Sequence, residues 1–249
     1  MQHPTRRFSS RVENYVRYRP HYPQCALQIL RDTCRLSPDW HVADIGSGTG
    51  FLTELFLGNG NPTYAVEPNK EMRQVAEALL KDCPGFTSID GAAEYTTLGD
   101  DSVDMVAAGQ AFHWFDRDKA KAEFARILRP GGWVVLIWND RRMDTPFLQA
   151  YEDLLREHSS DYRQVDHKNV DQKALADFFA AAEYITQSCE NVQTFDCDGL
   201  KGRLLSSSYA PETDNEAMLA ELACIFDQHQ TDGQVLFHYD TSIYISQST

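Results

Sequence analysis

Three alternating glycines and an acid form the most suggestive chemical pattern of the chain, the run Asp44-Ile-Gly-Ser-Gly-Thr-Gly50. The apolar residues before it predict a strand that ends at the carboxylate, and the residues after it predict a helix from Phe51. Glycine in such a turn allows a positive φ and a close approach of the backbone to a ligand. The positively polarised N-terminus of the helix points at whatever lies on the turn. The pattern therefore predicts a ligand-binding loop.

A second carboxylate, Glu67, ends the next predicted strand, at the position that usually binds the two hydroxyls of a ribose. A dinucleotide fingerprint has the spacing G-x-G-x-x-G, whose extra residue accommodates a pyrophosphate. This chain has the tighter G-x-G-x-G with Asp44 at its entry. The combination favours a ligand that carries a ribose, no phosphate and a positive ammonium or sulfonium group. S-adenosylmethionine meets this description, and a purely structural tight turn is the alternative.

Strand-like runs alternate with helical patterns in the first half of the chain, which is typical of βαβ units and a parallel sheet. Further strands are predicted over 86–90, 103–108 and 133–138, and helices from Phe51 and from about Asn69. A third predicted helix buries Ala120, Phe124, Ile127 and Leu128 and ends before Pro130. In the second half we expect two helices between 139 and 184, a sixth strand over 191–197, a helix from about Met218, and an alternating final strand over 239–246. We expect one domain over 1–249, divided into an N-terminal helical cover (1–35), a ligand-binding core (36–139), a helical insertion (140–185) and C-terminal strands with a helix (186–249).

Charge and composition narrow the possible partners. A formal net charge of −14 argues against nucleic acid and against an anionic membrane surface. No segment approaches the roughly 20 apolar residues of a membrane span, and the N-terminus lacks the apolar core of a signal peptide. The six cysteines include no C-x-x-C pair, so neither a zinc site nor a disulfide framework is indicated. We expect a cytoplasmic monomer or homodimer that needs no metal.

Five segments resemble those of class I S-adenosylmethionine-dependent methyltransferases of the small-molecule type 11 group: 44–50, 65–69, 91–94, 102–104 and 128–132. Two narrower runs, 18–23 (YRPHYP) and 110–116 (QAFHWFD), are similar to the trans-aconitate methyltransferase-like subgroup. The resemblance implies an α/β fold, a Rossmann-like three-layer sandwich. Its seven-stranded sheet would be mostly parallel with an antiparallel last strand, and a helical insertion would follow the fifth strand.

The resemblance also implies S-adenosyl-L-methionine as cofactor and S-adenosyl-L-homocysteine as product. Asp44 would position the loop and the ammonium group, Glu67 would bind the ribose, and the Ala93 N–H would face adenine N1. Many relatives carry Asp where this chain has Ala92, so that adenine contact passes to Glu94, backbone or water, at a loss of ~1 kcal/mol. The implied cofactor residues are Tyr15, Arg19, Asp44, Gly46, Ser47, Gly48, Gly50, Glu67, Pro68, Met72, Ala92, Ala93, Glu94 and Gln110.

Methyl transfer from a sulfonium chiefly requires alignment and exclusion of water, and a general base only when the acceptor must lose a proton. His113 is the predicted base because it follows the fourth strand at the carboxyl edge of the sheet; packing beside Trp114 is the alternative. Arg141 and Arg142, after the fifth strand, are candidates to bind an anionic substrate or are solvated loop charges. The predicted function is methyl transfer to a small molecule, with organic acids as the first class to consider. An NAD(P)-dependent dehydrogenase and a non-catalytic S-adenosylmethionine-binding protein are the alternatives.

Overall fold

The computed structural model describes residues 12–159, 162, 172–179, 184–207, 210 and 215–248. Several parts of the predicted regions therefore lie outside the described residues: the first eleven residues of the N-terminal cover, 160–161, 163–171 and 180–183 of the insertion, and 208–209, 211–214 and 249 of the C-terminal part. No helix in the described part of the chain is long and apolar enough to cross a membrane.

Seven strands of the described residues form one sheet in the order β3-β2-β1-β4-β5-β7-β6. β1 to β5 are parallel, and β7 lies antiparallel between β5 and β6, which confirms the fold predicted from the resemblance. The strands are β1 (Val42–Ile45), β2 (Thr63–Val66), β3 (Phe86–Ile89), β4 (Val103–Gly109), β5 (Leu128–Arg141), β6 (Tyr184–Phe195) and β7 (Val235–Gln247).

Helices cover the sheet and continue beyond it. Because side chains alternate across a strand, Val42 packs with the helices of one face while Ala43 packs with those of the other. α2 and α3 cover the first face, α5 and α7 cover the second, and α6, α8 and α9 form a third apolar cluster with the start of β7. The helices are α1 (Val12–Tyr18), α2 (Gln24–Cys34), α3 (Phe51–Gly58), α4 (Lys70–Leu80), α5 (Arg117–Ile127), α6 (Pro146–His158), α7 (Gln172–Phe179), α8 (Cys197–Leu205) and α9 (Glu216–His229).

The structure changes the bounds of several predicted elements, most clearly at Leu128 and at the sixth strand. Leu128 is the first residue of β5 and pairs with Val103, whereas the sequence placed it on the preceding helix. The sixth strand begins at Tyr184 and ends at Phe195, because the Asp196 side chain accepts a hydrogen bond from the Gly199 N–H and starts α8 at Cys197. A single buried apolar residue such as Leu128 fits the end of a helix and the start of a strand equally well, because one residue shows no periodicity. Only its pairing with Val103 assigns it to the strand.

The expectation that the cysteines form no disulfide is also wrong. Cys25 and Cys189 are joined, although 164 residues separate them, with their Cα atoms 6.3 Å apart. The sheet order brings β6 against the start of α2, a contact that the spacing of cysteines along the chain does not reveal. The other four cysteines are free.

Candidate functional site

A cavity of about 290 Å³ lies at the carboxyl edge of the sheet, where β1, β2, β3 and β4 end side by side. A second cavity of about 40 Å³ adjoins it and shares with it Tyr15, Gly46, Gly48, Gly109 and Gln110. Parallel strands place their carboxyl ends at one edge, which is where open α/β sheets bind ligands. The predicted residues that line one cavity or the other are Tyr15, Arg19, Asp44, Gly46, Ser47, Gly48, Glu67, Pro68, Met72, Ala92, Ala93, Glu94 and Gln110.

The glycine loop forms the floor that the two cavities share. Gly46 has a φ of 69°, and a Cβ there would lie 2.6 Å from the Cβ of Ala111. At Gly48, with a φ of 58°, the nearest atom to a Cβ would be Met72 Cε at 3.8 Å, so that added atom would occupy the cavity. Gly50 lies outside both cavities, and a Cβ there would lie 2.7 Å from Leu80 Cδ1. The first two glycines thus keep the cavity open, while the third permits the start of α3.

Glu67 lies directly after β2 and is buried. Its Oε2 accepts a hydrogen bond from the Gly48 N–H at 2.9 Å, and its Oε1 accepts one from the Asn69 N–H at 2.7 Å. Burial raises the pKa of this carboxyl, while the two backbone donors oppose the shift. Because each carboxylate oxygen has two lone pairs, Glu67 retains acceptor capacity for a diol in the cavity.

Asp44 is completely buried and lines the smaller cavity. Its Oδ2 accepts a hydrogen bond from the Thr53 hydroxyl at 2.6 Å. Asp44 Oδ1, Ser47 Oγ and Thr49 Oγ1 are buried and have no hydrogen-bond partner among the described residues. Burial raises the pKa of Asp44 from 3.8 to about 7, and the nearby charge of Glu67 contributes to the increase. The surroundings of the smaller cavity therefore suit a polar, cationic group.

Residues 12–22, which we call the cover segment, contribute Tyr15, Arg19, Pro20 and Tyr22 to the lining of the cavities. The Tyr15 ring stacks on Phe51 with centroids 5.9 Å apart, and the Arg19 guanidinium lies 5.3 Å above the Tyr15 ring. Arg19 also donates a hydrogen bond to the Ser206 carbonyl oxygen at 3.3 Å. The Tyr22 hydroxyl occupies the space beside β4, because a Cβ on Gly109 would lie 2.4 Å from it.

The far wall of the larger cavity consists of Met72, Pro68 and the turn at Ala92–Ala93. Glu94 lines this wall, and its Oε1 accepts a hydrogen bond from the Asp116 N–H at 2.7 Å. Sequence reasoning missed Gly109 and Ala111, which also line the cavity, whereas it considered Trp114 and Phe115 as wall residues, and both line the cavity. Gly109 ends β4, and a glycine at the end of a buried strand often marks a close approach of a ligand. This feature of the sequence could have predicted that Gly109 lines the cavity.

His113 lies on the short 3₁₀ helix Phe112–Trp114 and does not line either cavity. Its ring contacts that of Trp114, with centroids 4.5 Å apart. Neither Arg141 nor Arg142, the two candidates for an anionic substrate, lines either cavity. Arg141 forms a buried ion pair with Glu152 and also donates to the Tyr162 hydroxyl, and Arg142 pairs with Asp144. No group of three or more His, Cys, Asp or Glu within the described ranges is arranged to bind a metal.

Known proteins with similar sequences and folds agree on one family. Residues 43–136 match the family model described as a methyltransferase domain. An uncharacterized methyltransferase of Mycobacterium tuberculosis is 31% identical over 234 residues, covering 88% of this chain and 93% of the relative. An uncharacterized methyltransferase of Schizosaccharomyces pombe is 29% identical over 246 residues, covering 97% of each. A structure assigned as a type II methyltransferase of Anaeromyxobacter dehalogenans superposes with a TM-score of 0.70 at 22% identity, covering 93% of this chain and 97% of that one.

These similarities identify a methyltransferase, and hence an enzyme rather than a binding module. The glycine loop, the acid after β2 and the antiparallel last strand agree with this family. The chain belongs to the methyltransferase family and is a class I S-adenosylmethionine-dependent methyltransferase.

Proposed function

We propose that the two cavities together bind S-adenosyl-L-methionine and that the enzyme transfers its methyl group to a small-molecule acceptor, releasing S-adenosyl-L-homocysteine. The observation that carries the proposal is the buried Asp44 carboxylate, whose Oδ1 has no hydrogen-bond partner among the described residues. A buried carboxylate is stabilised by a nearby cation, and the ammonium group of the cofactor is one. Arg19 lines the same small cavity and suits the cofactor's carboxylate.

The larger cavity suits the nucleoside end. Glu67 would accept hydrogen bonds from the ribose hydroxyls, and the Ala93 N–H would donate one to adenine. Met72 and Pro68 would supply apolar contact to the base. Ala92 brings no side-chain acceptor to this wall, and the Glu94 carboxylate already accepts a hydrogen bond from the Asp116 N–H, which supports comparatively weak binding of the adenine amino group.

The bound sulfonium supplies an activated methyl group with an excellent leaving group. Tyr15 and Trp114 line the cavity and would exclude water from it, while the glycine loop and Gln110 set the position of the methionine portion. Gln110 has a φ of 51°. This left-handed backbone conformation is energetically unfavourable for any residue that has a Cβ, and such residues cluster at functional sites. His113 remains the proposed base for acceptors that must lose a proton, and it would have to reach the cavity past Trp114.

Small carboxylic acids are the first acceptor class that we propose, on the sequence similarity of 18–23 and 110–116 to the trans-aconitate methyltransferase-like subgroup. A carboxylate acceptor needs no general base. Measuring S-adenosyl-L-homocysteine release with matched carboxylic acids, alcohols and amines tests this choice; turnover of amines alone would contradict it. We further propose that the enzyme works in the cytoplasm as a monomer or homodimer, with neither nucleic acid nor a membrane as partner.

The cofactor assignment is tested by replacing Glu67 with Ala. We expect S-adenosyl-L-methionine affinity, measured by calorimetry, to fall at least about tenfold, since hydrogen bonds to a charged acceptor are lost. Glu71→Ala is the matched control, because Glu71 is exposed on the first turn of α4. This variant should bind S-adenosyl-L-methionine as tightly as the wild type. An unchanged dissociation constant for Glu67→Ala would remove the ribose assignment.

A further inference from the structure

The disulfide between Cys25 and Cys189 lies close in sequence to the cover segment. Cys25 is the second residue of α2, three residues after the cover segment ends at Tyr22. Cys189 lies within β6. Both cysteines are half-buried, so small thiols and disulfides can reach them, and the Cys25 sulfur lies 3.7 Å from the Glu190 carbonyl oxygen.

One face of β6 holds this part of the chain at three successive positions. Residues 189, 191 and 193 point to the same side of the strand, because side chains alternate. The Asn191 amide donates to the His21 carbonyl oxygen at 2.8 Å, and the Gln193 amide donates to the Tyr18 carbonyl oxygen at 3.2 Å. The disulfide is thus the covalent member of a row of three links, and the other two are hydrogen bonds to the cover segment.

The opposite side of the cover segment forms the cavity wall. Tyr15 lines both cavities, and Arg19 and Tyr22 line the smaller one. A ligand bound there is released more slowly when this wall is held closed. The link from Cys25 to β6 should therefore slow the exchange of a ligand bound in the cavities.

The remaining cysteines do not share this arrangement. Cys34 is buried, and burial raises the pKa of its thiol to about 12, which suppresses the reactive thiolate. Cys224 is exposed and free, as are the half-buried Cys83 and Cys197. Only Cys25 and Cys189, among the cysteines, are brought together by the fold.

We propose that Cys25 and Cys189 are a reversible redox pair that controls opening of the cover segment and hence exchange of the cofactor; the effect on the cofactor rests on the proposed function. The oxidant is a small disulfide of the glutathione type. One cysteine thiolate attacks it, releasing one equivalent of glutathione, and the second thiolate attacks the mixed disulfide, releasing another. The two protein thiols are oxidised, their protons pass to the two released thiolates, and the small disulfide is reduced. Excess thiol reverses both steps.

The pair itself is tested on the full-length protein equilibrated with either oxidised glutathione or dithiothreitol. We expect the oxidised form to be lighter by two hydrogen atoms, to yield one peptide pair linked through Cys25 and Cys189, and to melt roughly 5–10 °C higher. Cys224→Ser should behave like the wild type, and Cys25→Ser should lose the link and the redox dependence of melting. Failure to form the linked peptides in oxidised glutathione, or equal melting of both forms, would overturn the proposal.

The control of exchange is tested by stopped-flow release of S-adenosyl-L-homocysteine from both forms. We expect release from the oxidised form to be roughly three- to tenfold slower, since affinity differences within one site are expressed mainly in dissociation. Comparing reduced and oxidised wild type avoids dependence on the folding of a cysteine variant. Equal release rates would overturn the control of exchange. Binding in neither form would refute the proposed function instead, while the linked peptides and melting still decide the redox pair.

Discussion

The cofactor half and the outer helical half of this enzyme solve the problem of buried charge in opposite ways. In the first, Asp44 is buried with its Oδ1 lacking a hydrogen-bond partner among the described residues, and its pKa is raised to about 7. In the second, Arg141 is buried against Glu152, and its guanidinium lies 5.0 Å above the Tyr151 ring. A charge compensated within the fold stabilises structure, whereas one left for a ligand costs stability until the ligand binds. The uncompensated Asp44 thus marks the cofactor half as a binding region, and the paired Arg141 marks the outer helical half as a supporting region.

Arg141→Met should have the largest effect on folding. Removing one member of a buried ion pair leaves the Glu152 carboxylate with Arg156 and the Tyr162 hydroxyl as its partners, and we expect the free energy of unfolding to fall by roughly 3 kcal/mol. Urea denaturation measures this loss, and cofactor affinity at low temperature should stay within about twofold of the wild type. If Arg141→Met lost cofactor affinity strongly without losing stability, the outer helical half could not be a purely supporting region.

Gly46→Ala should damage the binding region. The residue has a positive φ, and its Cβ would lie 2.6 Å from Ala111 Cβ, so we expect roughly 2 kcal/mol of strain and a cofactor affinity at least about tenfold lower. Gly58→Ala is the matched control, because it has an ordinary φ and open space around it, and it should bind like the wild type. Calorimetry on both variants decides whether the loop geometry is responsible.

Asp44→Asn sharpens the comparison through pH. The folded carboxyl keeps its proton up to a pKa of about 7, whereas the unfolded one loses it near 3.8, so the folded state binds more protons between these values. The contribution of Asp44 should therefore lower stability as pH rises from about 4 to 7, by up to ~1.4 kcal/mol per pH unit, and Asp44→Asn should abolish that slope. Cofactor affinity should instead rise over the same range in the wild type, because the ammonium favours ionised Asp44. Denaturation and binding measured at each pH give both slopes; opposite signs in the wild type are required.

His113→Ala should have the smallest effect on binding. Its ring packs on Trp114 and lines neither cavity, so we expect cofactor affinity within about twofold of the wild type. If His113 is a base, turnover of an alcohol or amine should fall at least about a hundredfold while that of a carboxylate stays unchanged. Equal turnover for all acceptors would identify a packing role.

The binding region was largely predictable because its determinants are local. Glycine spacing, the acids after β1 and β2 and the apolar strands follow from backbone geometry within a few residues, and 13 of the predicted cofactor residues line the cavities. Gly50 stays a predicted cofactor residue, although it lines neither cavity and its positive φ also suits the start of α3. Arg141 was misassigned because its partner, Glu152, lies on a helix whose packing the sequence pattern does not specify.

The sequence alone determined the class of fold, the glycine loop and the two acids of the cofactor half, since periodicity and turn chemistry act over short distances. Tertiary structure alone decided which charges are paired, that His113 faces Trp114, and that Cys25 meets Cys189 across 164 residues. The last of these outcomes depends on the order of strands in the sheet and on the docking of α2 against β6. Chain positions remote in sequence become neighbours only when the whole sheet assembles, and no local pattern encodes that meeting.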